Sequence, residues 1–384
     1  MIYLNSASTS KPDKKVLEDF MWCAENYWHN PSDVSQPGIN TKNIIKNAQE
    51  QIAASINANP EEIIFTSGGS ESNNWAIKGF LDKYTGVKTI ITTEIEHPSV
   101  YNTCQYLIKK GYEVIYVPVD MYGRVDVYEL EEIISEHLFS FVSIMMSNNE
   151  IGSINPIKEI SNVVHKYGGV LHVDAVQAFM HVPIDVEELG IDLMSTSFHK
   201  FGGLKGCGFL YIKNGVELSS LIHGGHQFDS KRAGTENVSM IYAMGNQVDR
   251  LSSDLNTYTD KIASVSDYMI HQVYDKCYDY CNVYLNGHPT KRLSNNLSFT
   301  FNGINASNLI TLLEMKDIYV SAGSACSAGT PEPSRVLKAI GLTDEEAFST
   351  IRVSISSDIT VTNVDEFVDI LVECIQSLQI LQTN

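Results

Sequence analysis

One lysine of the sequence lies in an unusual setting. Lys200 is found in STSFHKFGGLKGCGFLYI, directly after a histidine, just before two glycines, and between two apolar segments. A lysine on a solvated surface needs no neighbouring glycines, whereas a lysine that reaches a ligand past crowded backbone does. The pattern therefore indicates that Lys200 bonds to a ligand.

A carboxylate in an apolar run is the second candidate. Asp174 lies in GVLHVDAVQA, and Gln177 follows three residues later. Burying a lone carboxylate is costly unless it is paired with a cation or strongly hydrogen-bonded. A protonated pyridine nitrogen is such a partner, and Lys200 follows the next apolar run.

A glycine turn is the third candidate. In FTSGGSESNN, Gly68, Gly69 and Ser70 open a predicted helix, where backbone N–H groups and a hydroxyl suit a phosphate. An ordinary N-cap, with Ser70 capping and Asn73 reaching back, explains the same residues.

Two further polar segments follow apolar runs. His97 precedes Pro98 in EIEHPSV, and Asn149 lies in SNNEIG. The histidine fits a helix cap or a buried polar residue as well as a ring that stacks on a ligand. The second segment fits a hydrogen-bonded turn, so neither identifies a function alone.

Together these features predict pyridoxal 5'-phosphate as cofactor. It requires a phosphate cradle, a side chain that stacks on its ring, a carboxylate that keeps the pyridine nitrogen protonated, and a lysine that holds it covalently. We expect the glycines after Lys200 to let the backbone pass close to the bound cofactor.

The elements that position these residues predict an α/β fold. Between about residues 60 and 212, helical stretches alternate with seven apolar runs: EIIFTS, KTIITTE, EVIYVPV, FSFVSIMM, GVLHVDA, DLMSTS and GCGFLYI. Continuous apolarity favours a mostly parallel sheet covered by helices, with ligands at the carboxyl ends of its strands. The last run follows Lys200 too closely for a crossover helix, so we expect that strand to be antiparallel.

A second mixed region follows a long helical pattern that runs roughly from Tyr242 to Cys277. It contains the strand-like runs NVYLNG, NNLSFTFNG, IYVSAG and TIRVSIS, two helical segments, and a C-terminal helix from about Val364. These runs can pair antiparallel. We predict a large domain over 16–255 and a smaller α+β domain made of 1–15 and 256–384.

Composition narrows the classes of function. With 384 residues, 43% of them hydrophobic, and a net charge of −19, the chain predicts a globular protein that does not bind nucleic acid or an anionic membrane directly. No apolar run approaches the roughly 18 residues of a membrane span, which predicts a cytoplasmic protein. The seven cysteines are scattered, and Cys277 and Cys281 lack nearby partner ligands, so no metal site is predicted.

At this point the chain resembles a known family. SFHKFGGLKGCGFLY resembles the lysine motif of cysteine desulfurases, which have the aminotransferase class V form of the fold-type I pyridoxal-phosphate architecture. The resemblance covers nearly the whole chain, because these segments occur in the family's order: YLNSAST, FTSGGSESNNWAIKG, TEIEHPSV, SNNEIG, HVDAVQA, RAGTEN, SAGSACSAGTPEPSRVLKAIG and IRVSIS. The chain departs from the family's usual residues at Ser35, Leu204, Phe228 and Asp229.

The resemblance implies a role for each matched residue. Lys200 holds the cofactor, Asp174 pairs with the pyridine nitrogen, and Gln177 bonds the phenolic oxygen. His97 stacks on the ring and moves protons, while Asn149 lies near the phenolic oxygen and the substrate. The implied phosphate ligands are Gly69, Ser70, Ser197, His199 and, for the neighbouring subunit's cofactor, Thr235. The role of Thr235 implies a homodimer.

Two residues carry the substrate chemistry that the resemblance implies. Small residues on both sides of Cys326 predict a loop whose thiol is free of core packing, although a turn with an incidental cysteine also fits. In the family, the matching cysteine takes sulfur from L-cysteine as a persulfide and leaves alanine. Arg352 matches the arginine that grips the substrate carboxylate; the alternative is a strand arginine paired with a surface acid.

The predicted function is a pyridoxal-phosphate-dependent cysteine desulfurase. The implied acceptor of its sulfur is a scaffold of iron-sulfur cluster assembly or a tRNA-thiolation enzyme. Alternatives are another class V enzyme, namely a selenocysteine lyase, a cysteine sulfinate-type lyase or an aminotransferase, and a weakly active homologue that acts as a partner in a sulfur-transfer complex. The combined presence of Lys200, Asp174, Cys326 and Arg352 argues against the weakly active homologue.

Overall fold

The strands and helices are described from a computed structural model, which covers residues 1–322 and 332–383, with side chains to residue 381. The strands are β1 (Ile2–Tyr3), β2 (Ile63–Thr66), β3 (Thr89–Thr93), β4 (Glu113–Val117), β5 (Phe141–Met145), β6 (Val170–Asp174), β7 (Leu193–Ser195), β8 (Gly208–Ile212), β9 (Val283–Asn286), β10 (Asn296–Phe301), β11 (Ile318–Tyr319), β12 (Ser321–Ala322) and β13 (Thr350–Ser354). The helices are α1 (Lys14–Asn26), α2 (Gln36–Ser55), α3 (Gly69–Lys83), α4 (Pro98–Ile108), α5 (Val127–Glu136), α6 (Ile157–Lys166), α7 (Val186–Leu189), α8 (Val238–Ser252), α9 (Leu255–Cys277), α10 (Ala306–Glu314), α11 (Arg335–Ala339), α12 (Asp344–Phe348) and α13 (Val361–Thr383).

A seven-stranded sheet lies at the centre of the larger part of the molecule. Its strand order is β2-β8-β7-β6-β5-β3-β4. Strand β8 runs antiparallel to both of its neighbours, and all other neighbours are parallel. All seven predicted runs form strands, and the antiparallel direction predicted for the run after Lys200 is confirmed.

Burial of this sheet on both faces explains its sequence. Every residue of β5 and of β8 is buried, and the helices that connect the strands cover the sheet. Apolar runs without alternation are typical of strands in this position. The carboxyl ends of β2, β3, β5, β6 and β7 therefore open at one edge, where the predicted site residues follow them.

His172 ties the three central strands together close to that edge. Its ring, which is completely buried, lies 2.9 Å from the Ser143 hydroxyl on β5 through Nδ1 and 2.9 Å from the Ser195 hydroxyl on β7 through Nε2. Burial lowers the pKa of His172 to about 3. The neutral ring therefore uses one nitrogen as a donor and the other as an acceptor. His172 lies two residues before Asp174 in the same strand.

A smaller sheet lies in the second mixed region. It is antiparallel in the order β12-β13-β10-β9, while β1 pairs in parallel with β11. Its apolar side chains form a core separate from that of the large sheet, and this core includes Phe299, Phe301, Leu313, Ile351 and Phe367. The separate cores support the predicted division into two domains, whose boundaries stay a prediction.

The long helical pattern that ends at Cys277 corresponds to two helices. The chain forms α8 and α9, with a break at Ser253 and Asp254. Ser253 ends α8 as its C-cap, and Asp254 has a φ of −143° and a ψ of 34°, outside the helical region. Among the described residues, no helix is both long and apolar enough to cross a membrane.

We expect His172→Ala to destabilise the protein by about 2–5 kcal/mol, because it leaves a cavity and two buried hydroxyls without their partner. Urea unfolding followed by circular dichroism measures the change. His271→Ala, on the exposed side of α9, is the matched control. A loss no larger than that of the control would show that the tie between the central strands contributes nothing.

Candidate active site

The carboxyl edge of the large sheet forms a cavity of about 290 Å³. The cavity has the size of a site for a small organic cofactor. Every residue predicted to bind the cofactor lines it except Thr235. The lining residues are Ser8, Gly69, Ser70, Asn73, His97, Ser99, Met145, Ser147, Asn149, Asp174, Val176, Gln177, Ser197, His199 and Lys200.

Lys200 enters the cavity from a short turn after β7. Its Nζ donates to the backbone carbonyls of Ala7 at 2.7 Å and Ser8 at 2.8 Å. Burial and the nearby charge of Arg352 lower the pKa of Lys200 to about 8, against the opposing effect of Asp174. About a tenth of the amine is therefore neutral at pH 7, far more than for an ordinary lysine, and the neutral form is the one that a nucleophile or a base requires.

The glycines after Lys200 serve the local fold rather than the approach of a ligand. Gly202 has a positive φ of 78°, which favours glycine, and a Cβ at Gly203 would lie 2.0 Å from the Phe198 ring. The interpretation that these glycines make room for the cofactor is therefore wrong. They fix the turn that delivers the lysine.

Asp174 lies across the cavity from the lysine at the end of β6, 4% exposed. Its Oδ1 accepts from the backbone N–H of Val176 at 3.0 Å and its Oδ2 from the Asn73 amide at 2.7 Å. No cation lies within 4 Å of this carboxylate among the residues that the structure describes. Both partners are neutral N–H donors. The carboxylate therefore only accepts hydrogen bonds from them, and they fix its orientation.

Asn73 connects Asp174 to His97. Besides Asp174, its Nδ2 donates to the Ser99 hydroxyl at 2.8 Å, and that hydroxyl lies 2.7 Å from Nδ1 of His97. Sequence reasoning placed Asn73 only in a helix cap. Its true contacts reach residues 26 and 101 positions away, and no local pattern signals them.

His97 is both a helix cap and a cavity residue. Its Nδ1 accepts from the Ser99 backbone N–H at 3.1 Å, so the proton of the neutral ring is on Nε2. Burial lowers the pKa of His97, opposed by Asp174. The ring is thus neutral near pH 7, with an N–H that it can donate.

Helix α3 begins at the opposite end of the cavity. Its N-cap is Gly68, with a φ of 140°, and no side chain caps it, so the alternative with Ser70 as the cap is wrong. The first turn of a helix leaves N–H groups unpaired and carries a partial positive charge. Ser197 and His199 lie beside this turn in the same cavity, and burial lowers the pKa of His199 to about 4.

Residues near the N-terminus form one wall that sequence reasoning did not anticipate. The carbonyl of Ala7 accepts from both Lys200 and the Gln177 amide, the latter at 3.0 Å. Thr9 lies 3.2 Å from His199 through its hydroxyl. The motif YLNSAST carried the resemblance, but nothing in its local pattern showed that it contacts the lysine.

Arg352 lies in β13, 6% exposed, beside the cavity. Its guanidinium donates to the Asn149 carbonyl at 2.8 Å, to Asn5 Oδ1 at 2.9 Å and to the Ser8 hydroxyl at 2.6 Å. Within residues 1–322 and 332–381, no carboxylate lies within 4 Å of it. The alternative of an arginine paired with a surface acid is therefore wrong.

Thr235 is not among the residues that line the cavity. Thr235 lines a separate hollow with Arg232, which forms a bidentate ion pair with Glu71 at 2.9 and 3.2 Å. Cys326 lies outside the described residues. The four departures from the family pattern, Ser35, Leu204, Phe228 and Asp229, do not line the cavity either.

The residues present fit pyridoxal phosphate. Asp174 is a buried carboxylate in need of a cation, and the start of α3 suits a phosphate. Within the described ranges, Lys200 has no acid partner within 4 Å. Oδ1 of Asn73 is buried without a hydrogen-bond partner among the described residues, which is typical of a site that a polar ligand completes.

Comparisons with known proteins agree with this geometry. A family model described as Aminotransferase class-V matches residues 2–367. Cysteine desulfurase IscS of Methanosarcina thermophila is 41% identical over 381 residues, which are 98% of this chain and 93% of that protein. The chain therefore belongs to the class V aminotransferase family, and within it to the cysteine desulfurases.

Solved structures show the same fold. A NifS-like protein superposes with a TM-score of 0.91 at 33% identity, covering 98% of this chain and 100% of that one. A structure of SspA in complex with cysteine has a TM-score of 0.81 at 34% identity, covering 93% of this chain and 99% of that one. The predicted fold class is confirmed.

The lowered pKa of Lys200 has a measurable consequence in cofactor-free protein. We expect acetic anhydride to label Lys200 half-maximally at about pH 8, below the pH that surface lysines require, because the neutral amine is the reactive form. Peptide mass spectrometry over a pH series measures this, with surface lysines of the same digest as reference. Labelling of Lys200 together with those lysines would contradict the lowered pKa.

Proposed function

We propose that this chain converts L-cysteine to L-alanine and transfers the sulfur to Cys326 as a persulfide, with pyridoxal phosphate bound to Lys200. One observation carries the proposal: a reactive lysine and a buried carboxylate face each other across a cavity that has an arginine without an acid partner at its edge. The related SspA structure is described with cysteine bound.

The bound cofactor supplies a ring that stores the electron pair left when a bond to the substrate Cα breaks. Asp174 keeps the ring nitrogen protonated, and the amides of Asn73 and Val176 hold the carboxylate in place. Lys200 would hold the cofactor and would take the proton from the substrate Cα. Its depressed pKa makes the neutral amine available for that transfer.

His97 and Arg352 orient the substrate. His97 lines the cavity, where its ring would stack on the cofactor and its Nε2 would donate or accept a proton at the reacting sulfur. Arg352 holds the substrate carboxylate with the guanidinium N–H groups that its three protein acceptors leave free. A planar, always charged group suits this task.

Sulfur transfer requires a thiolate on the protein. The Cys326 sulfur attacks the substrate sulfur, an S–S bond forms, and the C–S bond breaks with its electron pair left on the carbon side. Protonation there yields alanine. In these steps every residue acts together with the bound cofactor.

A homodimer and a sulfur acceptor complete the proposal. Thr235 does not line the cavity of its own chain, which agrees with a residue that serves the neighbouring subunit's cofactor. The acceptor is a protein, either a scaffold or a tRNA-thiolation enzyme, that receives sulfur from Cys326. We place the enzyme in the cytoplasm.

Cys326→Ser tests the sulfur transfer. We expect the variant to bind L-cysteine, because Lys200, Asp174 and Arg352 are unchanged, and to release no sulfide, because a hydroxyl is a far weaker nucleophile toward sulfur than a thiolate. Sulfide and alanine release are measured with a thiol reductant present. Cys281→Ser, which changes another thiol, is the matched control.

The same reaction is visible on the wild-type peptide. Brief exposure to L-cysteine without reductant should add one sulfur atom to the peptide that contains Cys326, and reductant should remove it. Undiminished turnover in Cys326→Ser, together with no added sulfur, would instead identify a lyase or an aminotransferase.

Asp174→Asn tests the cofactor assignment. The amide retains the shape of the carboxylate but loses the charge that holds the ring nitrogen protonated, so we expect turnover to fall by roughly a hundredfold or more. Cofactor binding, followed by absorbance, should fall much less because the phosphate contacts persist. Activity close to wild type would show that another acid pairs with the ring.

A further inference from the structure

Glu150 holds a position between two arginines beside the cavity. It follows Asn149 directly, and its backbone N–H donates to Asn148 Oδ1 at 2.8 Å. Its Oε2 accepts a short hydrogen bond from the hydroxyl of Ser334, the N-cap of α11. Glu150 therefore joins the turn that contacts Arg352 to the first residue of another helix.

The charges around Glu150 come from two elements. Arg352 faces it from β13 and Arg335 faces it from α11, and both lie beyond ion-pair distance while still stabilising its ionised form. Arg335 is itself occupied, because its guanidinium stacks 3.6 Å from the Tyr101 ring centre and donates to the Glu96 carbonyl at 2.9 Å.

Arg352 has donor capacity left. Its neutral acceptors take three of five N–H groups, and Nε is buried without a partner among the described residues. A buried cation needs a nearby negative charge, and Glu150 is the carboxylate that interacts with it. A direct ion pair would occupy the donors that a ligand needs.

We propose that Glu150 is a positioning residue, which balances the buried charge of Arg352 from beyond hydrogen-bond distance and so leaves the guanidinium free to bind a ligand carboxylate. The hydrogen bond from Ser334 holds Glu150 back from Arg352. The inference rests on the proposed function, in which Arg352 holds the substrate carboxylate.

A proton link follows from this arrangement. Burial raises the pKa of Glu150 to about 7, against the opposing effects of Ser334 and the two arginines. A ligand carboxylate on Arg352 adds a negative charge and withdraws part of the stabilisation of the Glu150 anion, so its pKa rises further. Ligand binding near neutral pH is therefore accompanied by proton uptake at Glu150, and affinity falls as pH rises through about 7.

Methylthiopropionate is a suitable probe, because it has the substrate's carboxylate and a sulfur but no amine to react with the cofactor. Its amide is the uncharged control ligand. Calorimetric titration of the cofactor-loaded protein, in buffers of different ionisation enthalpy, gives both the affinity and the number of protons taken up. Measurements span about pH 6 to pH 8.5, either side of the Glu150 transition.

We expect the affinity of wild type for the probe to fall by about tenfold over this range, the effect of one partly screened charge. Glu150→Gln can still accept a hydrogen bond from Ser334 but has no charge. Its affinity for the probe should therefore stay constant with pH within about twofold, and its excess proton uptake on binding should vanish. Glu150→Asp retains the charge and should retain the pH dependence. Glu132→Gln, the same change on the exposed side of α5, should behave as wild type.

The outcomes separate this inference from the proposed function. If Arg352→Gln binds the probe as tightly as wild type, the assignment of Arg352 to the substrate carboxylate is wrong, and the role of Glu150 fails with it. If Arg352→Gln loses binding while Glu150→Gln keeps the wild-type pH dependence and proton uptake, Glu150 does not act on Arg352. If Glu150→Gln does not fold, Glu150→Asp decides the question. Loss of the pH dependence in Glu150→Asp would also overturn the proposal.

Discussion

The site depends on a buried carboxylate that has no cation within 4 Å among the residues that the structure describes. Asp174 lies at the end of a strand covered on both sides, and its two partners are the neutral N–H donors of Asn73 and Val176. Hydrogen bonds of this kind orient an anion but do not neutralise it. The sheet therefore holds a charge that only a cationic ligand balances fully, and a protonated pyridine ring is such a ligand.

The cations around the same cavity are arranged by the same rule. Lys200 and Arg352 donate to backbone carbonyls, an amide and a hydroxyl rather than to acids. Part of this acceptor set comes from the N-terminal wall, where Ser8 contacts both cations. Because neutral acceptors hold these groups in place without pairing their charges, both remain available for the cofactor and the substrate.

Much of the fold and part of the site could be predicted from the sequence. Strands buried on both faces gave continuous apolar runs, so the ends that carry His97, Asp174 and Lys200 were found correctly. Asn73 was misjudged because its partners are distant in the chain, and local capping preferences describe its neighbours equally well. The glycines after Lys200 were misjudged because backbone conformation and the Phe198 contact are invisible in a motif.

The two sheets contribute different halves of the chemistry. The large sheet supplies Lys200 and Asp174, and the small sheet supplies Arg352 from β13. The turn after β5 lies between them, since the carbonyl of Asn149 accepts from Arg352 while the carboxylate of Glu150 accepts from Ser334. Consecutive residues of one turn thus set the position of Arg352 and of the helix that begins at residue 335. The distance from Arg352 to Lys200 depends on how the two sheets are held against each other, and this turn is one of their hydrogen-bonded links.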